Sequence, residues 1–207
     1  MSDTPIEVRK RPVQARSKAR VEAILDAARD IISEIGSDGM KMSVLAHRAG
    51  VPIGTVYQFF PNKSAVIYTL VTDIMQQMHT ALQAQMEGIQ SLDDASGRID
   101  QMVRGYYQFL KDEPVMRDIL GSTQGDKKLQ ALDQEDSRTN GAMMFEHMKP
   151  FVSQQDHKRL KVVLFLNAHL TGSLTRLAVT EDAEMAETLL QIFVKRLQDD
   201  LLSFKQV

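Results

Sequence analysis

The sequence predicts an all-α chain of about nine helices, and three observations predict it. Apolar residues recur at intervals of three and four along most of the 207 residues, while no convincing alternating pattern of strands occurs. Glycine or proline punctuates the ends of many of these periodic segments. Hydrophobic residues make up 43% of the chain, enough to fill a core and too many for a disordered polymer.

Val21, Ile24, Leu25, Ala28, Ile31, Ile32 and Ile35 form the stripe of a first amphipathic helix, which Gly36 should end in the left-handed conformation. A short second helix fits Met42 to Ala49, stopped by Gly50, and a short third fits Ile53 to Phe60, stopped by Pro61. Asn62 is placed to cap a long fourth helix with Ile67, Leu70, Val71, Ile74, Met78 and Leu82 on one face. Ala95, Ile99, Met102, Val103, Tyr106, Phe109 and Leu110 mark a fifth, ended by Pro114. That proline opens a sixth helix holding Val115, Met116, Ile119 and Leu120, which Gly121 closes. From about Asp126 to Lys149 runs a seventh with a polar middle, DQEDSRTN, and an apolar end. Ser153 and Asp156 form a weak capping box for an eighth helix reaching Leu177, and Thr180, followed by Glu181 and Asp182, opens the ninth.

Helix eight contains VVLFLNAHL, whose five consecutive apolar residues Val162–Leu166 leave no polar face through that turn. Such a helix needs cover on more than one side, so helices eight and nine are expected to pair with a second copy as a two-fold four-helix bundle.

Charge is unevenly spread. Arg9, Lys10, Arg11, Arg16, Lys18 and Arg20 against Asp3 and Glu7 give the first twenty residues +4, leaving −6 for the rest of a chain whose net charge is −2. Residues 1–18 are read as a basic flexible arm, suited to phosphates. No cysteine is present, which removes disulfides and thiolate chemistry. No uninterrupted apolar run has the length of a membrane span, and the N-terminus lacks a secretory apolar segment, so an intracellular, cytoplasmic location is expected.

Histidines 47, 79, 147, 157 and 169 show no metal-binding spacing, GSTQGDKK from Gly121 lacks the spacing of a phosphate loop, and no nucleophile stands in a triad context. The expectation is a non-enzyme without metal or cofactor.

Ala49 to Asn62 carries no charge yet holds Gly50, Gly54, Pro52, Pro61 and three aromatics. Two short helices joined by a glycine turn explain this pattern: Ala46 is small so that the helices approach, Gly50 takes a positive φ, and Val51, Val56 and Phe59 or Phe60 plug the unit. Ile53, Gly54, Thr55, Tyr57 and Gln58 are left exposed, a low-charge surface able to enter a major groove.

These words, ILDAA, LAHRAGV, GTVY and FFPNK, occur in order between Ala19 and Leu70. In them the chain resembles the N-terminal domain of TetR-family transcriptional regulators. The resemblance implies a helix-turn-helix DNA-binding domain over 19–66 and a helical effector-binding and dimerisation domain over 67–207. It implies that Ser43, Ile53, Gly54, Thr55, Tyr57, Gln58 and Lys63 stand where DNA is contacted, with Arg16, Lys18 and Arg20 as electrostatic attraction or a minor-groove arm. The chain departs from the family in Lys41, usually threonine, in Pro52, often serine, and in Ile53, often polar.

The resemblance also implies a small-molecule effector in the C-terminal domain. Tyr106, Phe109, Met116, Met144, Phe145, Met148, Phe165 and His169 are the candidate lining, suited to an apolar or amphipathic ligand. The expected function is a homodimeric repressor released from a palindromic double-stranded operator by that ligand. An activator or architectural DNA binder of the same fold, or an all-helical adaptor, is the alternative.

Overall fold

The structure, a computed structural model, describes residues 10–122 and 127–205. Residues 1–9 of the expected arm and the interior of GSTQGDKK lie outside the described residues. Among the described residues there are nine α-helices and no strand: α1 Lys10–Gly39, α2 Met42–Arg48, α3 Ile53–Phe59, α4 Lys63–Met86, α5 Leu92–Asp112, α6 Pro114–Ser122, α7 Lys127–Met148, α8 His157–Thr180 and α9 Ala183–Leu202. The chain divides into two compact units between Thr72 and Asp73, within α4 rather than near its start.

Several helix ends follow the local chemistry expected of them. Gly36 breaks the helical run of α1 at φ 75°, ψ 162°. Asn62 Oδ1 accepts the Ala65 N–H at 2.9 Å, capping α4. Other ends require correction. α1 begins at Lys10, inside the span read as an arm, and carries Arg16, Lys18 and Arg20 on its surface. Lys18 lies 3.8 Å from Glu22, one turn on.

Ser153 does not cap a backbone group. Its hydroxyl donates to Asp156 Oδ2 at 2.7 Å, and a 3-10 turn over Gln154–Asp156 precedes α8. Thr180 ends α8 and donates to the Leu177 carbonyl, while Asp182 caps α9 by accepting the Met185 N–H at 2.9 Å. Both Thr and Asp suit an N-cap. Here Asp182 is the one with extended backbone, at φ −66° and ψ 166°.

In the second unit α5 packs on α8 and α9, and α7 on α8. Met86, Leu92, Ala95, Phe145, Met148, Leu160, Leu164 and Phe204 form one buried cluster, and Val103, Leu190, Phe193, Val194 and Leu197 another. Polar ties set the helices in register. Arg104 donates to Glu187 on α9 at 2.7 and 2.8 Å and to Asp100 at 2.8 Å. The Arg104 hydrogen bonds pull the Glu187 carboxyl down to about 2. Arg98 donates to the Gln85 and Glu87 carbonyls, satisfying the end of α4.

α7 and α8 approach closely at Gly141. A Cβ on Gly141 would lie 2.8 Å from the Phe165 Cα and 2.9 Å from its nitrogen, both backbone atoms that cannot swing aside. Gly141→Ala should therefore lower stability by about 1–3 kcal/mol. Gly97→Ala on α5, where a Cβ meets nothing within 4 Å, should raise it by roughly 0.5–1 kcal/mol. Urea unfolding of the two variants beside the parent chain checks the opposite signs.

Candidate nucleic-acid interface and interior cavity

The first unit builds a reading head from α1, α2 and α3. Ile24, Ala28, Ile31 and Ile32 of α1, Leu45 and Ala46 of α2, and Val56 of α3 are buried, as is Phe60 just after α3. The chain turns between α2 and α3 at Gly50, with φ 65°. Around that turn the Gly50 N–H donates to His47 O and the Val51 N–H to Ala46 O, each at 3.1 Å. Pro52 takes the N-cap position of α3, and its carbonyl accepts the Thr55 N–H at 2.8 Å. Lys41 occupies the N-cap of α2 without a side-chain bond to the backbone.

This arrangement leaves one side of α3 free of packing. Ile53 is 45% and Tyr57 50% exposed, and Gly54 and Gln58 are exposed beside them. Thr55 is half-buried, and Ser43 at the start of α2 is exposed. Lys63 is engaged within the head: its Nζ donates to the carbonyls of Ser37 and Asp38 at 3.2 Å each, at the end of α1. Arg48 makes a two-pronged bond to Glu34 at 2.7 and 2.8 Å, joining α2 to α1. That hydrogen bond holds the Glu34 carboxyl below its usual value.

The second unit contains a partly open cavity of about 270 Å³. Four of the eight candidate lining residues, Tyr106, Met116, Met144 and Met148, do line it. The other four do not. Phe145 is buried in the core with its ring edge-on to His157, and Phe109 stacks on Tyr106. Phe165 lies beneath the Arg138 guanidinium, 4.7 Å from its ring centre. His169 Nδ1 is 3.2 Å from the Ser137 hydroxyl, the satisfied polar contact of a helix-packing histidine.

What the aromatic reading missed is a polar wall. Asp133, Asp136, Ser137 and Asn140 of α7 line the cavity together with Gln85, Asn167 and Thr171. The α7 four stand at i, i+3, i+4 and i+7, one helical face, and all come from the DQEDSRTN segment. That spacing was the available signal.

Asp136 is tied at both oxygens, to His79 Nε2 at 2.8 Å and to Asn140 Nδ2 at 2.9 Å. Burial nevertheless raises the Asp136 carboxyl above its ordinary value. The bond to Asp136 orients the Asn140 amide, and its Oδ1 is left buried without a partner, a state that costs about 1–3 kcal/mol. Burial likewise pushes the Tyr106 phenol well up. Among the described residues no group of three or more potential metal ligands occurs.

Two family descriptions match the chain: "Bacterial regulatory proteins, tetR family" over residues 24–68, and "Tetracyclin repressor-like, C-terminal domain" over 93–204. The HTH-type transcriptional regulator BetI of Klebsiella pneumoniae is 29% identical over 90 residues, which is 42% of this chain and 45% of BetI. The chain spans less than half the length of the curated relatives it matches. A TetR-family transcriptional regulator from Streptomyces coelicolor superposes with a TM-score of 0.69 at 20% identity, covering 89% of this chain and 99% of that one. FadR from Bacillus subtilis, in complex with stearoyl-CoA, superposes with a TM-score of 0.60 at 16% identity, covering 84% and 97%. These two likenesses establish the fold.

Two predictions come from this geometry. Lys63→Met removes two charge-assisted bonds inside the head and should cost roughly 1–3 kcal/mol of stability, measured without any nucleic acid; an unchanged unfolding midpoint would leave Lys63 with no structural part. The raised Asp136 carboxyl is a burden that grows as pH climbs from the unfolded value, about 3.9, through the higher folded one. Asp136→Asn should gain stability relative to the parent across that window, and urea midpoints at a series of pH values read it.

Proposed function

The chain belongs to the TetR family of bacterial regulatory proteins, and we propose that it is a ligand-responsive DNA-binding repressor acting as a homodimer in the cytoplasm. The observation that carries the reading is the unpacked side of α3, where Ile53, Gly54, Tyr57 and Gln58 project from a head whose core is closed behind them. A helix of this width fits the major groove. Tyr57 and Gln58 offer hydroxyl and amide groups to base edges or phosphates, and Ile53 offers methyls to thymine. Ser43 and half-buried Thr55 flank this face as further contacts, with Arg16, Lys18 and Arg20 of α1 attracting the phosphate backbone. Lys63 orders the end of α1 and adds positive charge beside the duplex.

Two heads at the spacing of successive major grooves, ~34 Å, require a two-fold pair. The apolar side of α8 and α9 that one chain leaves uncovered supports that pairing: Val162 is 60%, Leu166 45%, Leu177 48% and Ile192 66% exposed. The segment Gln154–Thr180 is long and apolar enough by composition to cross a membrane. Its packing on α5, α7 and α9, with Asn167, Thr171, Thr175 and Arg176 along it, fits a soluble bundle better. The cavity is the seat of the effector, and occupying it shifts the population toward a state unable to span the operator.

The test is capture of genomic fragments by the full chain at low salt, followed by titration of the selected fragment. Thr55→Ala with Tyr57→Phe should weaken binding about tenfold or more. Val162→Glu with Ile192→Glu should sediment as a monomer and lose the same binding. Unchanged affinity in both double variants would overturn the reading.

A further inference from the structure

The cavity wall has a chemical polarity that its core position does not require. Among the described residues that line it, Asp133 and Asp136 are the two acidic side chains, and no lysine, arginine or histidine lines it. Their side-chain partners are not lining residues: Arg176 Nη1 is 3.3 Å from Asp133 and His79 Nε2 is 2.8 Å from Asp136. Beside Asp136, the Asn140 amide spends its Nδ2 on that carboxylate and keeps Oδ1 buried without a donor. In this wall Asn140 Oδ1 is a buried acceptor left without a donor. The apolar remainder includes Met75, Met78, Met102, Met116, Met144 and Met148, flexible side chains that adapt to a slender aliphatic body.

An anionic head would face two carboxylates with no cation in the wall to receive it. A neutral alcohol could offer one donor and no charge. A protonated amine offers up to three donors together with a positive charge, matching both the unfilled Oδ1 and the acidic face. We infer that the cavity takes an amphipathic amine, its ammonium donating to Asn140 Oδ1 beside Asp136 and Asp133 and its hydrocarbon lying along the methionines. This rests on the cavity being the effector site, and it names the chemical class that site selects.

The experiment is calorimetric titration of the full chain at neutral pH with n-octylamine, octanoate and 1-octanol, which share a tail and differ in the head. Octylammonium should bind about tenfold or more tightly than either of the others. Asp136→Asn and Asn140→Leu should each lower its affinity by about fivefold or more, leaving octanol within about twofold. Octanoate or octanol binding as tightly as the amine overturns the assignment, as does the absence of binding by all three. Release of the captured DNA fragment is followed separately. A chain that prefers octylammonium yet keeps its fragment bound upholds the amine assignment and counts against the regulatory reading instead.

Discussion

The second unit depends on what can be laid against α8. Five apolar residues in succession, Val162–Leu166, oblige that helix to find cover on several sides, because no rotation about its axis turns the segment to water. Gly141 lets the backbone of α7 come against the Phe165 backbone, which buries Leu164 on one side. α5 and α9 pack on it as well. Yet Val162 and Leu166 stay exposed beside these neighbours. The constraint that organises the core therefore also leaves an apolar face on α8 among the described residues.

The same helix supplies Asn167, Ala168, Thr171 and Gly172 to the cavity wall. Small and hydroxylated residues there leave volume that leucines would have filled. Opposite chemistry is concentrated on α7, where Asp133, Asp136, Ser137 and Asn140 turn a polar stripe inward. Most of that stripe is satisfied by neighbours: Asp136 by His79 and Asn140, Ser137 by His169 and the Asp133 carbonyl, Asp133 by Arg176. A buried network of this kind is tolerable when complete and costly when one member is left over. Asn140 Oδ1 is the member left over.

The turn of the head and the residues that close its core were legible because their signals are local. Gly50 demands a positive φ, Ala46 and Val56 demand burial, and the structure places all three accordingly. Helix existence was equally plain from period alone, whereas helix starts were ambiguous wherever two capping residues stood close together. Thr180 and Asp182 are both good caps, and only the backbone course into α9 selects the second. The cavity was half legible. Periodicity tells which face of a helix is inward but not where inward faces fail to meet, so Phe145 and Phe165 read as lining when they are packing. The polar stripe in DQEDSRTN carried the better signal, since polar residues at i, i+3, i+4 and i+7 that face inward need a reason other than core formation.

Lys63, a proposed DNA contact, is engaged within its own unit. Its ammonium donates to the carbonyls of Ser37 and Asp38, past the break that Gly36 makes in α1, and the Ser37 carbonyl also accepts the Met40 N–H at 3.3 Å. Two carbonyls take two of its three donors. One N–H and the full positive charge remain, on a side chain that is half-buried rather than sealed. On the proposed reading, a lysine fixed this way would meet a phosphate with its rotamer already chosen, so that the ordering cost a free surface lysine incurs on binding would have been met in folding. The bond that stabilises the head is thus also the one that would preset it for a polyanion.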